Sequence, residues 1–323
     1  MPAHNAASLL PAALAPLLAM RERGEIGELL VVDDASSDDT VSVAQSFPGV
    51  RVIRRVVRGG PGAARNTGAS EACGEYLWFV DSDVVLAEDA ARVLDAALQD
   101  IRPTAVFGSY DDAPAAQNFL SQYKNLVHAY YHRRGRRDAS TFWAGCGAVK
   151  RRAFLDAGGF DASRYPQPSI EDIELGYRLR SAGATIASVP DIRGKHLKVW
   201  RFPNLVHTDV FRRAIPWSTL MLERGALTDD LNVSRGERWR VALALALAVA
   251  WVTAFSGAAP LWAAAIVTGV VIAANGELVG FFARRRGALF AARAFLYHQF
   301  HYLYSAGAFA FAVVRHAMGR SRS

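Results

Sequence analysis

Hydrophobic and polar positions alternate in blocks along the first third of the chain. Glu28–Val32 (ELLVV), Val50–Arg54, Tyr76–Val80 and Thr104–Gly108 are short runs rich in Val, Leu, Phe and Tyr, the pattern of strands buried within a sheet. Between them Thr40–Phe47, Gly62–Ala72 and Glu88–Leu98 have the length and mixed polarity of helices. This alternation predicts an α/β layered domain with a mainly parallel central sheet. Residues 114–131 read as an amphipathic helix carrying Phe119, Tyr123, Tyr130 and Tyr131. The basic run Arg133-Arg134-Gly135-Arg136-Arg137 after it suits either a solvated loop or a functional flap.

The pattern changes abruptly further on. No residue from Val241 to Gly276 is charged. A bilayer core takes about 20 apolar residues per helix, so this stretch accommodates two spans, with Ser256-Gly257-Ala258-Ala259-Pro260 as the turn. A third apolar stretch, Ala294–Val314, lies between Arg293 and Arg315. The 323 residues therefore divide into a soluble domain over 1–232 and a membrane region over 233–323. Hydrophobic helices are expected at 241–259, 261–283 and 294–314. Pro2, His4 and Asn5 interrupt any signal-peptide pattern, so the expected anchor is C-terminal.

The formal net charge of +7 raises the question of nucleic acid. The basic residues are better explained as membrane flanks: Arg235, Arg238 and Arg240 precede the first span, and Arg284-Arg285-Arg286 follow the second. By the positive-inside rule both flanks lie in the cytoplasm, and the soluble domain with them. The expected localisation is cytoplasmic or inner membrane, with no nucleic-acid partner. Two cysteines, Cys73 and Cys146, are too few for a disulfide framework and suit a reducing compartment. Phe211-Arg212-Arg213-Ala214-Ile215-Pro216-Trp217 has the composition of an interfacial helix. Glu277, near the end of the second span, is either a functional group or one that snorkels toward Arg284 or Arg285.

Four motifs carry candidate chemistry, and three fall at expected strand ends, where open α/β sheets bind ligands. Val31-Val32-Asp33-Asp34-Ala35-Ser36-Ser37-Asp38-Asp39-Thr40 offers either helix N-caps or a carboxylate for a nucleobase N–H. Gly59-Gly60-Pro61-Gly62-Ala63-Ala64-Arg65-Asn66-Thr67-Gly68 is a turn that lets backbone approach a ligand, with Arg65 in reach of a phosphate. Asp81-Ser82-Asp83 ends the apolar run YLWFV, and two carboxylates there repel unless a cation joins them. Mg²⁺ or Mn²⁺ bridging a diphosphate would supply that charge. Ser169-Ile170-Glu171-Asp172 reads both as a capping box and as a carboxylate base at a helix start.

Taken in order, these motifs resemble the family 2 glycosyltransferases. Pro2-Ala3-His4-Asn5 is similar to the end of that family's first strand, and VVDDASSDDT to its second-strand motif. GPGAARNTGA resembles its glycine-arginine-asparagine turn, DSD its metal motif, and IEDIELGYRLRSAG its acceptor-side base motif. The resemblance covers roughly residues 1–220. It implies a GT-A fold and an inverting transfer from a nucleotide-diphosphate sugar. It also implies roles, residue by residue. Pro2, Ala3 and Asn5 would border the donor, Asp33 or Asp34 would meet the base, and Gly62, Arg65 and Asn66 would lie near the nucleotide. Asp81 and Ser82 would hold the nucleotide. Asp83, with Asp81 and His196, would hold Mg²⁺ or Mn²⁺. Gly145, within Gly145-Cys146-Gly147, would line the sugar, and Lys198 would neutralise the departing diphosphate. Asp172, beside Glu171, would deprotonate the acceptor hydroxyl.

Two departures matter. The processive synthases of that family carry Gln-x-x-Arg-Trp, whereas this chain has Lys198-Val199-Trp200-Arg201, which weighs against a polymerase. Met1 directly abuts Pro2, so the first strand is expected to be missing or to lie upstream. The membrane region points to a lipid or lipid-linked acceptor. A processive polysaccharide synthase, an inactive GT-A scaffold subunit and a nucleotidyltransferase are the rival readings.

Overall fold

The structure is a computed structural model that describes residues 1–320, with the Arg320 side chain left out. The chain divides into two compact units, Met1–Trp200 and Arg201–Ser323.

The first unit opens with β1 (Pro2–Ala3), α1 (Leu10–Glu22), β2 (Leu29–Asp34), α2 (Thr40–Gln45) and β3 (Val50–Arg55). There follow α3 (Gly60–Glu71), β4 (Tyr76–Val80), β5 (Val84–Leu86), α4 (Ala90–Asp100), β6 (Ala105–Tyr110) and α5 (Phe119–Arg134). It closes with β7 (Cys146–Lys150), α6 (Arg151–Asp156), α7 (Glu171–Ser181) and β8 (Ile186–His196). Two sheets result: β1-β2-β3, all parallel, and β4-β7-β6-β8-β5, which is mixed. In the second sheet β6 and β8 are parallel, while β4–β7, β6–β7 and β5–β8 are antiparallel. Where the first strand was expected to be missing or to lie upstream, β1 consists of two residues, paired Pro2↔Val32 and Ala3↔Asp33.

The strands form where the sequence predicts them, and β2 and β6 are covered on both faces whereas β3 is only half-buried. Val31 and Val32 of β2 and every residue of β6 are buried, which selects continuous apolar sequence over alternation. One cluster joins Leu10, Leu14, Leu17 and Met20 of α1 to Val31, Val80, Val84 and Val106. A second joins Phe79 and Phe107 to Phe142, Phe154, Phe160 and Leu175. Helix α1 is not signalled by its sequence, because Pro16 stands inside it and a proline there removes a helix donor. Helix α5 starts later than 114 and takes in Arg133 and Arg134 of the basic run; Arg133 is 3.3 Å from Asp112.

The second unit contains α8 (Phe202–His207), a π-helical segment Thr208–Ala214, α9 (Ile215–Arg224) and α10 (Arg235–Phe255). Then come α11 (Leu261–Ala274), α12 (Gly276–Arg286) and α13 (Ala288–Arg320). Among the described residues α10 is long and apolar enough to cross a bilayer, and α11–α12 qualifies as a pair bent by 69°. The expected helix at 261–283 is thus broken at Asn275. The Asn275 side-chain amide donates to Val271 O at 2.9 Å beside its own backbone N–H at 3.1 Å, and Gly276 follows. Trp217 of the expected interfacial segment is buried, while Phe211 is exposed.

Buried polar groups pin the helices of this unit together. The Tyr302 hydroxyl donates to Glu237 Oε2 at 2.6 Å, and Arg240 bonds both Glu237 and, at 2.9 Å, Ala274 O. Tyr304 donates to Asp209 of the π-helical segment at 2.8 Å.

Candidate active site

The site is assembled from the ends of β2, β4 and β8 and the starts of α3 and α7, all in the first unit. At the end of β2 the two aspartates separate in role. Asp34 is consumed by the fold: Arg55 Nε lies 2.9 Å from Oδ1, and the Gly59 and Gly60 N–H groups donate to its carboxylate, the latter at 2.7 Å. Gly60 sits at φ +81° with Pro166 O 2.4 Å from where a Cβ would stand, so only glycine fits there. Asp33, also buried, accepts from Ser36 N–H at 3.2 Å. Asn5, at φ 51°, accepts the Ser37 N–H at 2.9 Å and so ties the turn after β1 to the loop after β2.

The glycine-rich motif forms the first turns of α3. Gly62 faces Phe160, whose Cβ is 3.2 Å from a virtual Cβ. Asn66 bonds both backbone groups of Phe160, each at 2.8 Å, and is a staple for that loop. Arg65 does not project toward an open phosphate position. It is buried, with Nη2 2.6 Å from Asp81 Oδ1 and Nη1 3.1 Å from Glu171 Oε1, over the Phe160 ring.

The Asp81-Ser82-Asp83 turn is closed by Val84 N–H donating to Asp81 O at 3.0 Å. Its two carboxylates part company. Asp81 turns to Arg65, while Asp83 Oδ2 lies 3.4 Å from His196 Nε2. The strand pairing Val84↔His196 and the bond from Leu197 N–H to Asp83 O, 2.8 Å, bring that histidine across. Burial pushes the Asp81 carboxyl above its usual range, opposed by Arg65 and reinforced by Asp83. Burial would raise Asp83 as well, but His196 and the nearby Lys198 outweigh it and hold Asp83 below its usual range. His196 and Lys198 of this chain thus offset at Asp83 the repulsion that the motif creates.

Among the described residues no group of three His, Cys, Asp or Glu side chains lies close enough to hold a metal. Of the expected trio, Asp81 is engaged by Arg65, while Asp83 and His196 stand as a pair 3.4 Å apart. A pair fits a hard divalent cation that keeps waters and takes its remaining ligands from substrate phosphates. Lys198 stacks its ammonium 4.3 Å from the Trp200 ring.

Glu171 and Asp172 open α7, but not through the expected capping box: Ile170 occupies the cap position and makes no side-chain cap. Ser169 N–H instead donates to Glu171 Oε2 at 2.8 Å, and Glu171 is further held by Arg65. Asp172 Oδ2 accepts the Ala144 N–H at 3.1 Å. The next peptide carries on to the Asp81-Ser82-Asp83 turn, with Gly145 O accepting the Asp81 N–H at 3.3 Å. Gly145 has the Trp143 ring 2.6 Å from a virtual Cβ, so its lack of a side chain serves packing.

An aromatic column that sequence reasoning missed stands behind this turn. His196 stacks on Tyr110 at 4.3 Å and 11°, Tyr110 on His128 at 4.3 Å, and His128 on His132 at 3.8 Å, with Trp143 edge-on to Tyr110 and His132. The one local signal was His128 and His132 at i, i+4 on a helix, which places both on one face.

Residues 1–158 match the family model described as Glycosyl transferase family 2. That segment belongs to glycosyl transferase family 2. The match contains the DSD turn but ends before Asp172 and His196. The fold is of the GT-A glycosyltransferase type: the mannosyltransferase PcManGT from Pyrobaculum calidifontis, solved with GDP-Man and Mn²⁺, superposes with a TM-score of 0.61 at 20% identity, over 96% of this chain and 85% of that one. The glycosyltransferase GlyG of Streptococcus pneumoniae is 34% identical over 87 residues, 26% of this chain and 29% of that protein. The dolichyl-phosphate beta-glucosyltransferase of Drosophila melanogaster is 33% identical over 115 residues, 32% of this chain and 35% of that protein. These matches span little more than a third of the curated relatives' lengths.

Proposed function

We propose that this family 2 chain is a membrane-anchored, inverting, metal-dependent glycosyltransferase that moves a sugar from a nucleotide-diphosphate sugar to a lipid or lipid-linked acceptor. The observation that carries the reading is the loop 143–145. Consecutive residues of it bind the Asp172 carboxylate and the Asp81 backbone, so the base and the DSD turn are referenced to one another through one rigid segment. Such fixed geometry is what an in-line displacement requires.

Asp172 accepts the proton of the acceptor hydroxyl as its oxygen attacks the anomeric carbon; general-base help of this kind is worth roughly 10²–10⁴-fold. A divalent cation, when bound at Asp83 and His196, supplies Lewis-acid charge to the diphosphate. Lys198 adds a fixed positive charge on the same side, where negative charge grows as the glycosidic bond breaks. Asp33 is the better candidate for the base, because the Asp34 oxygens are engaged by Arg55 and the glycine turn. The Mn²⁺ in the P. calidifontis fold neighbour supports use of a divalent metal. The uncharged stretch of α10 after Arg240 supports an anchor, with the enzymatic unit cytoplasmic by the positive-inside rule. A relative named for acting on dolichyl phosphate supports a lipid-linked acceptor.

The test is nucleoside diphosphate release by the detergent-purified protein against a panel of nucleotide sugars. Mn²⁺ or Mg²⁺ and a membrane lipid extract are each supplied or withheld. Release from one donor that needs metal and lipid, and falls by about 10²–10⁴-fold in Asp172→Asn with donor binding retained, is the expected result. Full turnover in Asp172→Asn sinks the assignment of the base.

A further inference from the structure

The chain that leaves β8 runs alongside the segment that follows β6, and hydrogen bonds tie the two together. Asp111 N–H donates to Gly194 O at 2.8 Å, and Ala115 N–H to His196 O at 3.3 Å. The Asn118 side-chain amide donates to Trp200 O at 2.7 Å, and Trp200 N–H to Ser121 Oγ at 2.7 Å. The start of α5 therefore holds both backbone groups of Trp200. Between the tied points at His196 and Trp200, Lys198 and Val199 form an exposed crest.

The Trp200 side chain is the fixed part of this crest. It is 4% exposed, and its Nε1–H is buried with no hydrogen-bond partner. A buried donor without an acceptor is destabilising, and a phenyl or alkyl side chain would avoid that penalty. What an indole offers in return is its face, the strongest cation binder among the aromatic side chains. The Lys198 ammonium lies 4.3 Å from that ring, inside the ~6 Å reach of a cation–π contact. A lysine head on its four-carbon stem otherwise spreads over many rotamers. The charge is also felt at the DSD turn. Against the burial that would raise it, His196 and then Lys198 hold the Asp83 carboxyl below its usual range.

We propose that Trp200 is a positioning residue for the transfer: its buried indole holds the Lys198 ammonium beside the DSD turn, in place to meet the departing diphosphate. This role rests on the diphosphate assignment of Lys198 made above, and adds to it the group that orders the lysine. Trp200 itself touches neither donor nor acceptor. It narrows the positions of the lysine beforehand, so that less order remains to be imposed when phosphate charge arrives. An exposed cation–π contact sets the scale, about two- to fivefold in the fraction of Lys198 that is in place.

The test uses the full-length protein in detergent, labelled with ¹³C at the lysine ε-carbons and read by NMR. The lysines are Lys124, Lys150, Lys195 and Lys198, so Lys198→Ala assigns the signal. Through the indole ring current the Lys198 ε-CH₂ protons are expected upfield of those of Lys124 and Lys195. Trp200→Leu should abolish that shift, and Trp200→Phe should keep part of it. The binding probe is inorganic pyrophosphate with Mn²⁺, which carries the diphosphate chemistry without sugar or base. Its affinity, read by calorimetry, should fall about two- to fivefold in Trp200→Leu and less in Trp200→Phe. Added to Lys198→Ala, Trp200→Leu should cause no further loss. An absent upfield shift in the wild type overturns the proposal, as does a shift that survives Trp200→Leu. A loss of affinity from Trp200→Leu that is as large without Lys198 as with it bypasses the lysine and overturns it too. Trp200→Phe, which also removes the unpartnered donor, supplies the same readings should Trp200→Leu fail to fold. Unchanged pyrophosphate affinity in Lys198→Ala removes the lysine from the diphosphate, and the positioning role falls with that assignment. That failure is distinct from loss of the stack, because the ring-current shift is read without any ligand.

Discussion

Arg65 offers the sharpest test of how this site is held together. The resemblance to family 2 sets it near the nucleotide; in the structure it pairs with Asp81 and Glu171. The side chains of Arg65 and Glu171 are each 5% exposed, so Arg65→Met leaves a buried carboxylate without its cation. Breaking a buried pair by removing one partner costs about 3–5 kcal/mol, because the remaining charge stays desolvated. For a unit of about 200 residues each kcal/mol moves the melting midpoint by roughly 2–4 °C, so the variant should melt about 6–20 °C lower. The double variant Arg65→Met with Glu171→Leu removes the stranded charge and should recover a large part of the loss, a coupling that a double-mutant cycle isolates. The assay is thermal unfolding of the full-length protein in detergent, followed by tryptophan fluorescence. A shift below about 2 °C for Arg65→Met, with a large rise in the donor KM, would refute the structural role and return Arg65 to the nucleotide.

Other outcomes follow from the same geometry. Asp83→Ala should raise the Mn²⁺ concentration needed for donor binding by at least about tenfold, read by calorimetry, and unchanged binding would remove Asp83 from the metal. Tyr110→Leu removes the ring under His196 and should raise the Mn²⁺ requirement by about 10–100-fold with kcat at saturating metal little changed, whereas Tyr110→Phe keeps the stack and the wild-type profile. Equal behaviour of the two variants would show that the ring does not position His196. Burial pushes the Cys146 thiol up to about 12, so at pH 8 it stays neutral and unreactive, while exposed Cys73 reacts. A thiol-exchange reagent should therefore titrate one of the two cysteines in the native protein and both in denaturant.

What the sequence determined by itself is local. The apolar run at 76–80 becomes a strand because Leu77, Phe79 and Val80 bury their side chains as the backbone pairs, and a covered strand needs little more than that pattern. The DSD turn is likewise legible, since Val84 N–H closes it back onto Asp81 O. The long uncharged stretch after Arg240 announces an apolar helix for the same reason. The division of labour within each motif is not local. Asp33 and Asp34 are adjacent and chemically alike, yet Arg55 and the Gly59–Gly60 N–H groups engage one of them. Asp81 and Asp83 differ in which partner reaches them, Arg65 from α3 or His196 through the pairing of β5 with β8. Glu171 meets Arg65 across 106 positions of chain, a contact that no periodicity encodes. The column of His196, Tyr110, His128 and His132 draws on β8, β6 and α5. Local propensity selects elements, but pairings distant in sequence are set by which faces pack together, and only the tertiary structure decides that.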